Sequence, residues 1–246
     1  MPPPVMVNTT AIASIADPST SVTVTNPGLV NGDLSIIVGI AQLSGPPVWT
    51  VPTGHILWRA YTPSSGGVSL ALFTRIANGS EAGTFAVTHN QAANAATLAG
   101  AMRISGQHAT DYLGYFSDSS TAGANVTPVT YPPQSTDTDD CLAITIAGVN
   151  LASGSSVSHS VASGGVTEHQ DLHSTAATGV RRMLVISSKQ MPTKGAIDPV
   201  TGDLTAARPW IATTFFIRSL PAAVITNGVR QKYRSDNLLE MVVHRV

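Results

Sequence analysis

The sequence predicts an all-β protein: a two-sheet antiparallel β-sandwich with an extended N-terminal arm and a C-terminal extension. Three observations predict it. Short runs rich in Val, Ile, Thr and aromatic residues recur at fairly regular spacing between residues 21 and 220, about ten to twelve of them. Gly and Pro, 21 and 16 in number, punctuate these runs without clustering into a repeat. Helical stretches of the length that connects parallel strands are missing, which argues against a doubly wound α/β fold. The division that follows is an arm over 1–20, a sandwich over 21–220 and an extension over 221–246.

Residues 1–20 open with Met1-Pro2-Pro3-Pro4, which favours an extended polyproline-like arm, and continue in small residues to Asp17-Pro18. Such an arm either frays or is ordered by a partner. Ser21–Thr25 alternates about Val22 and Val24 before the turn Asn26-Pro27-Gly28. The turn Asn31-Gly32-Asp33 then opens the strongest strand, Leu34-Ser35-Ile36-Ile37-Val38-Gly39-Ile40-Ala41-Gln42. A β-branched apolar run of that length reads as a strand covered on both faces. Trp210–Ile217 is its best companion in one core. Between two turns lies Trp49-Thr50-Val51-Pro52, and Ile56–Tyr61 and 68–76 read as a hairpin across 63–67. In its second strand Leu70, Leu72 and Thr74 should face away from Ala71, Phe73 and Arg75.

A short strand follows at 84–88. Residues 92–101 are rich in Ala, but Gly100 and the flanking β signals favour a loop and then a strand over 97–104. Further strands are read at 111–116, 126–129, 141–149, 157–161, 166–172 and 180–187, with a loop over 191–207 before the closing strand. In the extension, 235–243 fits either a short helix capped by Ser235-Asp236-Asn237 or a strand.

Charged residues make up 11% of the chain, against roughly 25% in ordinary soluble domains. A surface of Ser, Thr, Ala, Gly and Asn is weakly protected by self-repulsion and tolerates close association. The net charge of −1 conceals a split: residues 1–179 hold three basic and ten acidic residues, residues 180–246 ten basic and four acidic. Opposite halves suit head-to-tail contact between copies. Four cations spread over 230–245 with two acids among them do not make a nucleic-acid site. No run approaches the ~18 apolar residues of a membrane-spanning helix, and no secretory signal is evident. Cys141 is alone, in a strand pattern, and is expected to be a buried inert thiol.

Candidate chemistry is sparse. In Glu168-His169-Gln170-Asp171-Leu172-His173 a regular strand would project His169, Asp171 and His173 to one face, about 7 Å apart. Those ligand types suit zinc or another divalent ion, although the span needs a bend to close on one. Asp137, Asp139 and Asp140 share one turn, a solvated cluster with the ligand type of a calcium site. His55, His89, His108 and His159 fall in turns or at strand ends and are expected at the surface. A nucleophile elbow is missing, as is a pair of carboxylates brought together by sequence. Trp58 and Tyr61, beside a Gly-rich turn, are the candidates for a glycan platform, with Trp49 and Trp210 assigned to the core. In the extension, Val229, Arg230, Tyr233, Arg234, Leu238, Leu239, Met241 and Val242 are the candidate assembly residues: their apolar members need cover, either from their own sandwich or from a neighbouring subunit, and a sandwich already closed at 217 favours the neighbour.

The order of pieces resembles a jelly-roll-like β-sandwich family seen in tailed-phage virion proteins and secreted bacterial proteins. The likeness is carried by the Val-rich strand before Pro27-Gly28, Asn31-Gly32-Asp33 with its apolar strand, and Trp49 near Pro52 and Gly54. It continues through Ser105-Gly106, Gly164-Gly165-Val166-Thr167-Glu168 and the aromatic closing strand. It implies a decoration, fibre or adhesion module, some members binding glycans. The expectation is therefore a non-enzymatic, cofactor-free structural protein of a virion. Its partners would be copies of itself, a trimer being one arrangement, and other virion proteins, without nucleic acid or membrane. The alternative is a carbohydrate-binding adhesion module of a tail fibre or spike.

Overall fold

The computed structural model describes residues 3–10, 13–15, 20–43, 47–63, 67–90, 97–121, 123–151, 157–161, 163–173, 181–198, 200–219, 225–226, 229–233 and 239–243. Every regular element among them is a strand. In chain order these are β1 (Val5–Thr9), β2 (Ala13–Ile15), β3 (Ser21–Thr25), β4 (Leu34–Leu43), β5 (Trp49–Thr50), β6 (Ile56–Tyr61), β7 (Gly67–Ile76), β8 (Thr84–His89) and β9 (Thr97–Ser105). Then come β10 (Leu113–Ser120), β11 (Val126–Tyr131), β12 (Ser135–Thr136), β13 (Cys141–Leu151), β14 (His159–Val161), β15 (Thr167–His173), β16 (Arg181–Met191), β17 (Gly195–Ala196), β18 (Val200–Arg208) and β19 (Trp210–Ile217). The last are β20 (Ile225–Thr226), β21 (Val229–Tyr233) and β22 (Leu239–Val243). Very short pairings such as β5, β12 and β17 raise the number above the sequence expectation, since two residues leave no periodic signal.

The apolar run of β4 is explained by what covers it. One large sheet has the order β1-β9-β4-β7-β6, with β2 also on β9; a second has the order β10-β19-β13-β16-β15. Ile36, Val38 and Ile40 of β4 meet Ile144 and Ile146 of β13 and Phe215 of β19 in the core between these sheets. Alternate residues point the other way. Ile37 and Ala41 join Phe73, Ala99 and Ala101 in a second core, closed by Val22, Val24, Phe85 and Val87 of the small sheet β3-β8-β5. On the far side Ala143, Ala147, Val185 and Phe216 form a third core, closed by Val129, Tyr131, Val200 and Leu204 of β11-β18-β14. Four sheets thus stack around three cores. The expected alternation in β7 holds: Leu70 and Leu72 enter the central core, Ala71 and Phe73 the outer one. Trp210–Ile217 does share a core with β4, but it faces it from the opposite sheet.

The two halves have the same topology. β1, β3, β4, β5, β6, β7, β8 and β9 correspond in order and pairing to β10, β11, β13, β14, β15, β16, β18 and β19. Registers agree as well. Leu34 pairs with Ile76 and Ile104, as Leu142 pairs with Gln190 and Ile217. A bulge interrupts β6 between Leu57 and Arg59, and another interrupts β15 between Glu168 and Gln170, at matching places. β6 contacts β10 through an Arg59–Asp118 ion pair, and β15 contacts β1 through Gln170 and Thr9. This is the reciprocal arrangement that an approximate two-fold axis produces. Where sequence suggested one sandwich without a repeat, the fold is a duplicated one; between the central strands β4 and β13 only Leu34/Leu142, Ile36/Ile144 and Leu43/Leu151 are identical.

Other expectations change. Residues of the supposed arm are strands of the first large sheet, β1 and β2 both pairing with β9. The supposed loop over 191–207 holds β17 and most of β18, in which Gly202 and Asp203 obscure the alternation of Val200 and Leu204. The turn before β4 forms as read: Gly32 has φ 89°, and the Asp33 carboxylate accepts the Val30 N–H at 2.9 Å and binds Arg103 Nε at 2.6 Å.

A Cβ on Gly39 would lie 2.8 Å from Val87 Cγ1 and 3.0 Å from Trp49 Cζ3. Gly39→Val is therefore expected to overpack the first outer core and cost about 1–3 kcal/mol. Urea denaturation should show a lower midpoint with an unchanged slope.

Candidate functional site

The bulge in β15 decides the fate of the predicted metal set. Because His169 is the extra residue, alternation breaks there. Glu168 and Asp171, paired with Ser187 and Val185, and His173, paired with Met183, face the outer core. His169 instead meets Ser188 Oγ at 2.7 Å. His173 Nε2 is 3.9 Å from Asp171 Oδ1. Among the described residues no group of three or more His, Cys, Asp or Glu is arranged to hold a metal ion. The charged turn is likewise engaged: Asp137 lies 3.4 Å from Arg218, and Asp139 accepts the Lys194 N–H at 2.7 Å.

Trp58, the bulge residue of β6, packs edge-on to Phe215 at 4.9 Å and Phe116 at 5.9 Å. It and Tyr61 lie against the central core. Of the candidate assembly residues, Val229, Arg230 and Tyr233 lie in β21, and Leu239, Met241 and Val242 in β22, in a register from Val229↔Val243 to Tyr233↔Leu239. The strand alternative thus holds for 239–243; Arg234 and Leu238 lie outside the described residues.

Three of the histidines expected at the surface are buried: His55, His89 and His159. In the first half His55 Nδ1 lies 3.3 Å from the Thr53 carbonyl and Nε2 3.1 Å from Ser35 Oγ. With Nδ1–H donating to Thr53, Nε2 accepts the Ser35 hydroxyl. Burial, followed by the nearby Arg75 cation, holds this imidazole below its ordinary pKa, against the raising effect of the Thr53 carbonyl. Serine and base are thus paired, but Ser35 is fully buried, so no substrate reaches it.

The second half holds the richer cluster. Tyr131 Oη is 3.3 Å from His159 Nε2, and His159 Nδ1 is 2.8 Å from Glu168 Oε2. Burial first, then the charges of Glu168 and Asp171, push the Tyr131 phenol well above its usual range. It therefore remains protonated and donates to Nε2, leaving Nδ1–H to donate to Glu168. Asp171 Oδ2 accepts the His159 backbone N–H at 3.3 Å. Tyr131 and the His159 ring are buried, whereas the Glu168 side chain is 28% exposed and forms the rim. Room for the ring comes from Gly202, where any Cβ would collide with it. No spacing rule links residues 131, 159, 168 and 202; the pairing within β11-β18-β14 and the stacking of that sheet beside β15 bring them together.

Gly202→Ala should expel the His159 ring, break both its hydrogen bonds and cost about 1–3 kcal/mol, measured by urea denaturation. A pH effect follows from His55. Its folded pKa is lowered, so the unfolded chain takes up the proton first; the contribution to stability is complete above about 6.5 and is lost as pH falls below that value. The His55 ring resonance should titrate with a midpoint below 6.5 by NMR; a midpoint at or above it would contradict the reading.

No family model matches this chain, and neither the curated proteins nor the solved structures searched yield a match.

Proposed function

We propose that this protein is a non-enzymatic structural subunit of a tailed-phage virion, in capsid decoration or in a tail or fibre. In this reading it assembles with copies of itself and with other virion proteins through its C-terminal segment. The carrying observation is the C-terminal sheet β20-β21-β22, whose strands pair with one another and, among the described residues, with none of the four stacked sheets. Its sequence includes Leu239, Met241, Val242 and Val243. So small a sheet is marginal until an apolar face is covered, and a neighbouring subunit would cover it.

Two further features support the reading. The edge strands β1, β6, β10 and β15 of the large sheets each carry a bulge, which discourages edge-to-edge pairing and leaves association to other surfaces. The order β1-β9-β4-β7 against β3-β8-β5, repeated in the second half, supports the jelly-roll reading, an architecture found in viral capsid and lectin domains. A carbohydrate-binding adhesion module of a fibre or spike is the second reading. It is favoured by Tyr115 and Phe116 on β10, 60% and 38% exposed, with the Arg59 guanidinium over the Phe116 ring.

Deleting 221–246 should leave a folded body that sediments as a smaller species and no longer enters particles. Unchanged sedimentation together with unchanged incorporation would reject the assembly role.

A further inference from the structure

Main-chain groups at the edge of a sheet can pair with another chain, and this fold blocks most of its edges. The outer strands β1, β6, β10 and β15 of the large sheets are bulged. In the small sheet of the second half, β11 has a register shift and contains Pro128, which has no N–H. Its Thr130 carbonyl is taken as well, accepting the Ser119 hydroxyl at 2.8 Å. β14 is three residues long, and its His159 N–H is held by Asp171. β5 has two residues and runs on to Pro52.

The counterpart of β11 in the first half is built differently. β3 pairs with β8 in an unbroken register, from Ser21↔Thr88 to Thr25↔Thr84, without proline and without charge. Which of its groups face outward follows from the ladder. Asn26 N–H donates to the Gly83 carbonyl and His89 N–H to the Thr20 carbonyl, both at 2.9 Å. Bonded pairs therefore fall at Thr20, Val22, Val24 and Asn26, and the N–H and C=O of Thr23 and Thr25 point away from β8. Both threonines are exposed, while Val22 and Val24 are buried in the first outer core. Among the described residues, β3 is the one edge strand of five or more residues in the four stacked sheets with neither bulge nor proline.

We infer that β3 is an association edge at which two copies of this protein join their small sheets, antiparallel, about a two-fold axis through Val24. In that register Thr23 of each copy faces Thr25 of the other, and each facing pair exchanges both main-chain hydrogen bonds. The strand is its own complement. Its outward groups recur every second residue on both copies, so they meet in step. On the exposed face threonine meets threonine, a favourable cross-strand pair. On the buried face Val24 meets Val24, which extends the core where a single copy ends it. Charge selects a second copy over an acidic or basic partner. Neither β3 nor β8 holds Asp, Glu, Lys or Arg, so two such sheets meet without repulsion and an ionic partner finds no counter-charge. The three-stranded layer β3-β8-β5 thereby continues into its symmetry mate, an isologous contact. The contact lies on β3 and not on 221–246, so it does not rest on the assembly role proposed for the C-terminal segment.

The test is amide hydrogen exchange by NMR on the full-length protein across a concentration series, with sedimentation in parallel. Raising the concentration should give a species of twice the chain mass and slow exchange at Thr23 and Thr25 about tenfold or more. Thr23→Pro gives β3 the block that β11 has at Pro128. It removes only an outward N–H, so the variant should melt near the parent's temperature, and its Thr25 amide should exchange fast at every concentration. Two double variants read the register, and serve if the proline variant does not fold. Thr23→Lys with Thr25→Lys sets like charges opposite each other and should abolish the slowing at both positions; Thr23→Lys with Thr25→Glu sets opposite charges there and should keep it. Exchange at Thr23 and Thr25 that is independent of concentration, whether or not the protein associates elsewhere, would overturn the inference, as would equal slowing in the two double variants.

Discussion

The structure depends on the apolar contact between its two large sheets. Ile36, Val38 and Ile40 on one side and Ile144, Ile146, Phe215 and Ile217 on the other leave water together, each fully buried side chain contributing about 1.5–3 kcal/mol. Because β4 and β13 are apolar on both faces, covering one face is not enough. The opposite faces need a layer of their own, and the small sheets β3-β8-β5 and β11-β18-β14 supply it. Four layers are therefore a consequence of two doubly apolar strands.

Strand positions and facing were largely legible in the sequence because they depend on local pattern. The β6–β7 hairpin, the opposed faces of Leu72 and Phe73, the double covering of β4 and the strand over 97–105 all follow from alternation and turn residues. What was not legible depends on comparison across strands. The duplication is hidden because equivalent sites keep their burial but change their chemistry, as Phe73 and Ser187 illustrate. The segment 191–207 looked like a loop because Gly202, needed beside the His159 ring, interrupts the strand pattern.

Site residues were harder for a related reason. His169, Asp171 and His173 have the spacing of a common face, yet one inserted residue, His169 itself, turns the imidazole toward Ser188 and leaves the others facing the outer core. His159 looked like a surface residue because its neighbours in sequence are polar. Its neighbours in space are Tyr131, 28 residues earlier on β11, and Glu168, on the next strand but in a different sheet. A bulge and a stacked layer are both invisible to spacing, and between them they rearrange every histidine of the second half whose geometry is described here.

The strand ladders carry a kinetic consequence. β1 through β9 pair only among themselves, as do β10 through β19, so each half closes its own strand ladders and meets the other mainly through side chains. Each half can thus gain order as a cooperative unit before docking, in the manner of separate foldons. Between those events the Ile- and Leu-rich inner faces stand open to solvent. A chain emerging from the ribosome completes its first half while the second is still being made, and in that interval its greatest hazard is sticking to another nascent copy.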